Sequence, residues 1–257
     1  MPAKGLAVLL VLAWSISAFA AGPYTSLYYQ TFPPAPIKKP NPKKTALLIV
    51  DMQNAFVLPD QGDALAIKKA GQWPAWEYYY RSLEQEVIPS IKKLLTFFRA
   101  HGLEVNHARI SALHQDGRDR SPVQRGQGYN DILLRRADPG AQIVAPLQPA
   151  ADEPVLEKTT DSVLMGTNYE RMLRNMGIEY VVVTGIVTDQ CVSSTVRDLA
   201  DAGFYVYLPD DATTAATEAA KGSELTALNH IYAQVLSSDA MIDLLQEDRS
   251  PSAAVGR

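Results

Sequence analysis

The chain has 257 residues, 47% of them hydrophobic, enough to bury the core of one sizeable α/β domain and cramped for two. A net charge of −4 gives no basic excess for gripping a phosphate backbone, so nucleic acid is excluded as the main partner and a small molecule is expected instead. The single cysteine, Cys191, has no internal partner for a disulfide and is expected as a free thiol.

At the N-terminus, MPAKGLAVLLVLAWSISAFAAG sets Lys4 before an apolar run that ends in Ala18-Phe19-Ala20, the small-x-small pattern of a signal-peptidase site. Residues 1–20 are therefore expected to be a signal peptide cleaved after Ala20, with the protein exported to the periplasm or secreted and not stably held at a membrane. An uncleaved anchor is the alternative, but the run is short for a spanning helix. Residues 21–44 include FPPAPIKKPNPKK and are expected as an extended Pro/Lys-rich linker. The domain is expected over residues 45–247, with 248–257 as a flexible tail.

TALLIVDMQ reads as a buried parallel strand with Asp51 at its carboxyl end. The aromatic segment 71–86, GQWPAWEYYYRSLEQE, fits either a lid or wall over a pocket or a packing surface. Val87, Ile91, Leu94, Leu95 and Phe98 at helical spacing predict a helix over 83–101, stopped by Gly102. LEVNHARI is the next strand, and the polar stretch 111–139 is expected as loops near a pocket mouth. EPVLEKTTDS gives a short strand ending at Lys158, NYERMLRNMG a helix, and IEYVVVTGI the clearest strand. A helix over 189–202 closed by Gly203, the strand FYVYLPDDA, a helix over 217–232, the strand AQVLS and the helix SDAMIDLLQ complete the chain.

Strands alternating with helices predict a doubly wound three-layer α/β sandwich with a central, mostly parallel sheet. Ligands in such folds sit outside the carboxyl ends of the strands, the edge that carries Asp51, Lys158 and the 185–191 turn. No G-x-G-x-x-G follows the first strand, and neither H-E-x-x-H nor a cysteine–histidine cluster with zinc spacing occurs, so no cofactor and no metal is expected.

Cys191 has two readings, a buried core residue or a nucleophile at a strand-to-helix turn. A nucleophile needs its thiolate, which a helix N-terminus and a nearby lysine favour and a nearby carboxylate can generate by taking the proton. Ser193, Ser194 and Thr195 suggest a serine nucleophile, but no G-x-S-x-G elbow surrounds them.

LLIVDMQNAF, LEKTTDSVLMGTNYERMLRNMGI and VVVTGIVTDQCVSSTVRDLADAGF, in this order, resemble the isochorismatase-like cysteine hydrolases, a family that includes nicotinamidases, ureidoacrylate and biuret amidohydrolases and N-carbamoylsarcosine amidase. The resemblance runs from about Thr45 to Leu245. It implies Asp51 as general base and acid, Lys158 as its charged partner and Cys191 as nucleophile. It also implies a cis peptide between Ile186 and Val187, with the N–H groups of Val187 and Cys191 as an oxyanion hole.

The implied activity is hydrolysis of a C–N bond in a small amide, ureide or carbamoyl compound through a thioester, without a cofactor and in a homo-oligomer. Phe56, Arg109 and Thr188 are candidate substrate contacts; Arg109 is otherwise a surface arginine, and Thr188 otherwise shapes the turn. Family nicotinamidases add a divalent ion, but NHARISALHQDGRD lacks their D-x-H cluster, leaving His107 and His114 as the one histidine pair to weigh. Vinyl-ether hydrolysis of isochorismate is the rival within the fold, against which the cysteine argues. A non-catalytic binding protein is the rival of another class.

Overall fold

In the computed structural model, residues 22–124 and 133–246 are described. The predicted signal peptide and the tail lie outside the described residues, and the domain is described as far as Gln246. Among the described residues no helix is long and apolar enough to cross a membrane.

Residues 22–44 do not stand away from the domain as an extended tether. They form a short helix, α1 (Leu27–Thr31), and a turn over Pro42–Lys44, and they bond to the domain surface. Asn229 Nδ2 donates to Tyr24 O at 3.0 Å, the Tyr207 hydroxyl donates to Lys38 O, and Lys38 Nζ lies over the Tyr205 ring. The side chains of Tyr207 and Asn229 thus take up backbone carbonyls that this segment does not pair in a sheet.

From β1 (Thr45–Val50) the chain runs through α2 (Asn54–Val57), α3 (Gly62–Lys69), α4 (Trp73–Ser82) and α5 (Ile88–Ala100) to β2 (Glu104–Ile110). There follow β3 (Val155–Lys158), α6 (Tyr169–Asn175), β4 (Tyr180–Ile186), α7 (Ser193–Asp201), β5 (Tyr205–Pro209), β6 (Thr213–Thr214), α8 (Glu218–Leu228), β7 (Gln234–Leu236) and α9 (Ser238–Gln246). The sheet has seven strands, all paired in parallel, in the order β3-β2-β1-β4-β5-β7, with β6 beside the end of β4.

The strand period of two divides β1 between two cores. Leu47 and Ile49 pack with Leu83, Leu94 and Phe98 on one face, while Ala46, Leu48 and Val50 pack with Leu173, Val196 and Leu199 on the other. A strand buried on both faces needs apolar residues at every position, which is why TALLIV reads as a continuous run. The strand order reverses between β1 and β4, so the crevice at their carboxyl ends is where a ligand is expected.

Three helices differ from the sequence expectation, the third of them α7 at the candidate site. The predicted 83–101 helix starts ten residues earlier, at Trp73, and passes through a wide turn over Leu83–Val87 in which the Ile88 N–H reaches back to Leu83 O. Pro89 has no N–H to bond in the ordinary register, and the wide turn lies just before it. The predicted 217–232 helix stops at Leu228, because the Asn229 side chain leaves the helix direction to bond Tyr24 O and to accept from Val235 N.

Candidate active site

Asp51 follows β1 directly. Its N–H donates to Ala108 O of β2 at 2.9 Å, and its φ of 53° lifts the side chain off the strand path. The next turn is fixed by Gln53, a fully buried amide that donates to Ile110 O and Ala141 O and accepts from the Ile110 N–H at 2.8 Å. Side-chain amide bonds of this kind tie the ends of β1 and β2 together where the sheet ladder stops.

Lys158 ends β3, paired in register with Ile110. Its ammonium is fully buried and meets three partners: Asp51 Oδ2 at 2.7 Å, Cys191 Sγ at 3.3 Å and Thr160 O at 3.2 Å. An ammonium has three protons to donate, so this one is completely engaged. Burial works against its charge, but Asp51 and Cys191 outweigh burial and raise its pKa, so Lys158 stays protonated. The contact with Asp51 is a close ion pair, and among the described residues Asp51 Oδ1 has no hydrogen-bond partner.

Cys191 sits in a wide turn, Thr188–Val192, between β4 and α7; the predicted helix start at residue 189 is therefore displaced to Ser193. The peptide joining Ile186 to Val187 is cis. The Cys191 thiol donates to Asp161 Oδ1 at 3.4 Å, and Gln124 Nε2 donates to the same oxygen. Burial pushes the thiol well above its usual pKa, Lys158 pulls it down, and Asp51 and Asp161 push it up further. The sequence suggested a lowered pKa; the thiol is instead held neutral at rest, because burial, joined by two carboxylates, outweighs the pull of Lys158.

Burial likewise raises the Asp51 pKa, against the pull of Lys158 and of hydrogen bonding from Lys158 and Cys191. A neutral thiol beside a buried carboxylate that holds an open acceptor is an arrangement in which the proton can cross from sulfur to oxygen when a reaction creates demand for it.

Asp51 and Cys191, the two groups that Lys158 bridges, line a cavity of about 380 Å³, a size suited to a small molecule. Its wall includes Phe56, Ile110, Arg120, Ile186, Val187 and Gln190, with Trp76, Tyr79 and Tyr80 of α4. The aromatic segment 71–86 is thus a pocket wall and a packing surface at once: Trp73 stacks on Tyr80 at 4.8 Å, and Tyr79 and Tyr80 are buried.

Residues 45–240 match the family model of the isochorismatase domain. The chain belongs to the isochorismatase family. As an isochorismatase-family hydrolase it is 30% identical to the ureidoacrylate amidohydrolase RutB of Serratia proteamaculans over 236 residues, covering 82% of this chain and 87% of that protein. Its fold matches an isochorismatase family protein from Desulfovibrio vulgaris at 29% identity and a TM-score of 0.63, over 79% of this chain and 98% of the other. It also matches the N-carbamoylsarcosine amidase of Thermoplasma acidophilum at 26% identity and a TM-score of 0.58, over 76% and 98% of the two chains.

Within this family framework, the other expected contacts divide. Phe56 lines the cavity, whereas Arg109 does not and is not a surface arginine either. Its guanidinium pairs with Glu157 of the neighbouring strand at 2.7 Å and donates to Ala141 O and Gln142 Oε1, because strand alternation turns it to the face away from Lys158. Thr188 is also off the wall: its hydroxyl bonds that of Thr213 at 2.8 Å and holds the turn against β6.

Ser193 bonds Glu224 and Arg197, and Thr195 accepts from the Val163 N–H at 3.2 Å, so neither hydroxyl points to serine chemistry. His107 is fully buried against Glu153 at 3.1 Å while His114 is exposed, and neither lines the cavity. Among the described residues no group of three or more histidine, cysteine or carboxylate side chains has the spacing of a metal site.

Sequence reading missed Asp63, Arg120, Gln124 and Asp161 on the cavity wall. Asp161 was within reach, since it lies three residues beyond Lys158 in the same motif. Arg120 and Gln124 come from the polar 111–139 stretch, where no periodicity marks which side chains turn inward.

Proposed function

We propose that the chain hydrolyses a C–N bond of a small amide, ureide or carbamoyl substrate through a thioester on Cys191. What supports this is one observation above all: Lys158 bridges Asp51 and Cys191, both of which line the cavity. The amidohydrolase names of two relatives support the same bond type.

In the proposed cycle Asp51 takes the thiol proton as Cys191 Sγ attacks the substrate carbonyl carbon, and the carbonyl electron pair moves to oxygen. Backbone N–H groups of Val187 and Cys191, both on the cavity wall, are the assigned donors to that oxyanion. The C–N bond then breaks, and Asp51 returns the proton to the leaving nitrogen. Water, giving a proton to Asp51, attacks the thioester and releases the carboxylic acid, and the thiol regains its proton. Lys158 remains an ammonium throughout and offsets the negative charge that passes between Asp51 and Cys191.

The test is mass spectrometry of the protein quenched during turnover of a panel of amides and ureides. An adduct on Cys191 that is absent from Cys191→Ala supports the proposal, and undiminished turnover by Cys191→Ala overturns it.

Export and homo-oligomerisation belong to the same proposal, supported by the N-terminal apolar run and by the family resemblance. Sequencing of the mature N-terminus and light scattering test them.

A further inference from the structure

The wall of the cavity carries a carboxylate that the chemistry above does not use. Asp63 lies in the first turn of α3, directly after Gly62, whose φ of +46° and approach to Ala55 leave no room for a side chain at that position. The bend therefore fixes where Asp63 enters the wall. Facing it are α4 and its aromatic side chains: Trp76, Tyr79 and Tyr80 line the same cavity, with Phe56 beside them.

Tyr80 is 7% exposed, and among the described residues its hydroxyl has no hydrogen-bond partner. Asp63 is near enough to that hydroxyl to raise its pKa, as burial does more strongly. Burial also raises the Asp63 carboxyl to about 6, and among the described residues no cation brings it down. The site therefore holds a half-buried carboxylate and an unsatisfied buried hydroxyl, both bordered by aromatic faces.

Charge across the whole cavity points the same way. Asp51, Asp63, Asp161 and Asp189 line it. Lys158 and Arg120 lie among Asp51, Asp161 and Cys191, and among the described residues no cation compensates Asp63. A substrate carboxylate beside Asp63 would meet like charge in a partly desolvated wall, whereas an ammonium would gain an ion pair and aromatic faces.

We propose that Asp63, Tyr80 and Trp76 form a specificity subsite for the far end of the substrate, selecting an amide whose other end carries a protonated amine over one that carries a carboxylate. This rests on the amidohydrolase function proposed above. It separates this chain from a relative whose named substrate, ureidoacrylate, is an acid.

Three amides of matched length test it: 3-aminopropanamide, butanamide and succinamate. The wild-type kcat/KM should fall in that order. In Asp63→Asn the ratio of 3-aminopropanamide to butanamide should drop about ten-fold, as expected for the loss of one partly buried charge pair, and in Tyr80→Phe by a smaller factor. Preference for succinamate, or an unchanged ratio in Asp63→Asn, overturns the subsite.

If none of the three is turned over, binding is read directly by tryptophan fluorescence with butylammonium and butyrate. Butylammonium binding that is weakened in Asp63→Asn supports the subsite even though the hydrolytic assignment fails. No binding to the wild type, or equal binding to both proteins, overturns it.

Discussion

Lys158 Nζ stands 2.7 Å from Asp51 Oδ2, with both side chains shut off from solvent. Taking two charges out of water is costly, and their mutual attraction offsets that cost only while both partners remain. Lys158→Met should therefore lose about 3–5 kcal/mol of stability in urea unfolding, together with all turnover. Adding Asp51→Asn to it should recover much of the stability and none of the activity. A single variant as stable as the wild type would mean that Asp51 is not charged in the resting protein.

Because burial raises the Asp51 carboxyl, the pH profile should carry its mark. A base acts only when ionised, so kcat/KM should rise with pH through an apparent pKa above the ordinary carboxylate range and fall below it. An acid limb at or below pH 4 would contradict a buried Asp51 as the base.

The neutral thiol predicts slow alkylation. Iodoacetamide should modify Cys191 at pH 7 about ten-fold or more slowly than free cysteine, with the rate climbing as pH rises. Asp161→Asn removes one of the charges that hold the proton on sulfur, so labelling should speed up. A slower or unchanged rate would remove Asp161 from this role.

Glu153 sets a separate pH limit on stability. Burial raises its pKa, but hydrogen bonds from Arg99, the Ala150 N–H and His107 outweigh burial and hold it at about 2. A carboxyl lowered in the folded state adds stability that is complete above its unfolded pKa, near 4.5, and is lost as pH falls toward 2. Melting temperatures of wild type and Glu153→Gln should therefore converge across that interval; parallel curves would contradict the linkage.

Gly185 admits no side chain. Its φ is +108°, and a Cβ would lie 2.0 Å from Val50 O in the neighbouring strand. Gly185→Ala must push β4 away from β1 just below both Asp51 and Cys191, and should cost more than about 3 kcal/mol or prevent folding. Gly177→Ala, also at positive φ but with open space around it, should cost about 1 kcal/mol.

Much of this site was legible in the sequence, for a physical reason. Asp51 and Lys158 stand at the ends of β1 and β3 and Cys191 in the turn that follows β4, and apolar runs bounded by polar clusters report strand ends directly. Pocket walls do not advertise themselves in that way. Arg109 and Lys158 are both basic residues near strand ends, yet one binds Glu157 on one face of the sheet and the other meets Asp51 on the opposite face. Only the register between β2 and β3 decides which side each takes. Segment 71–86 hid its helix because aromatic residues are weak helix formers, and packing against the first core outweighs that preference.

The strand that delivers Lys158 lies at one edge of the sheet, where among the described strands it pairs with β2 alone. Arg109 with Glu157, and His107 with Glu153, clamp it in place from the side away from the reacting groups. Local opening at a sheet border needs less free energy than global unfolding. The ammonium can therefore leave the thiol while the central strands remain folded, which makes the integrity of this border, and not that of the core, the factor that limits how long the protein keeps its activity under stress.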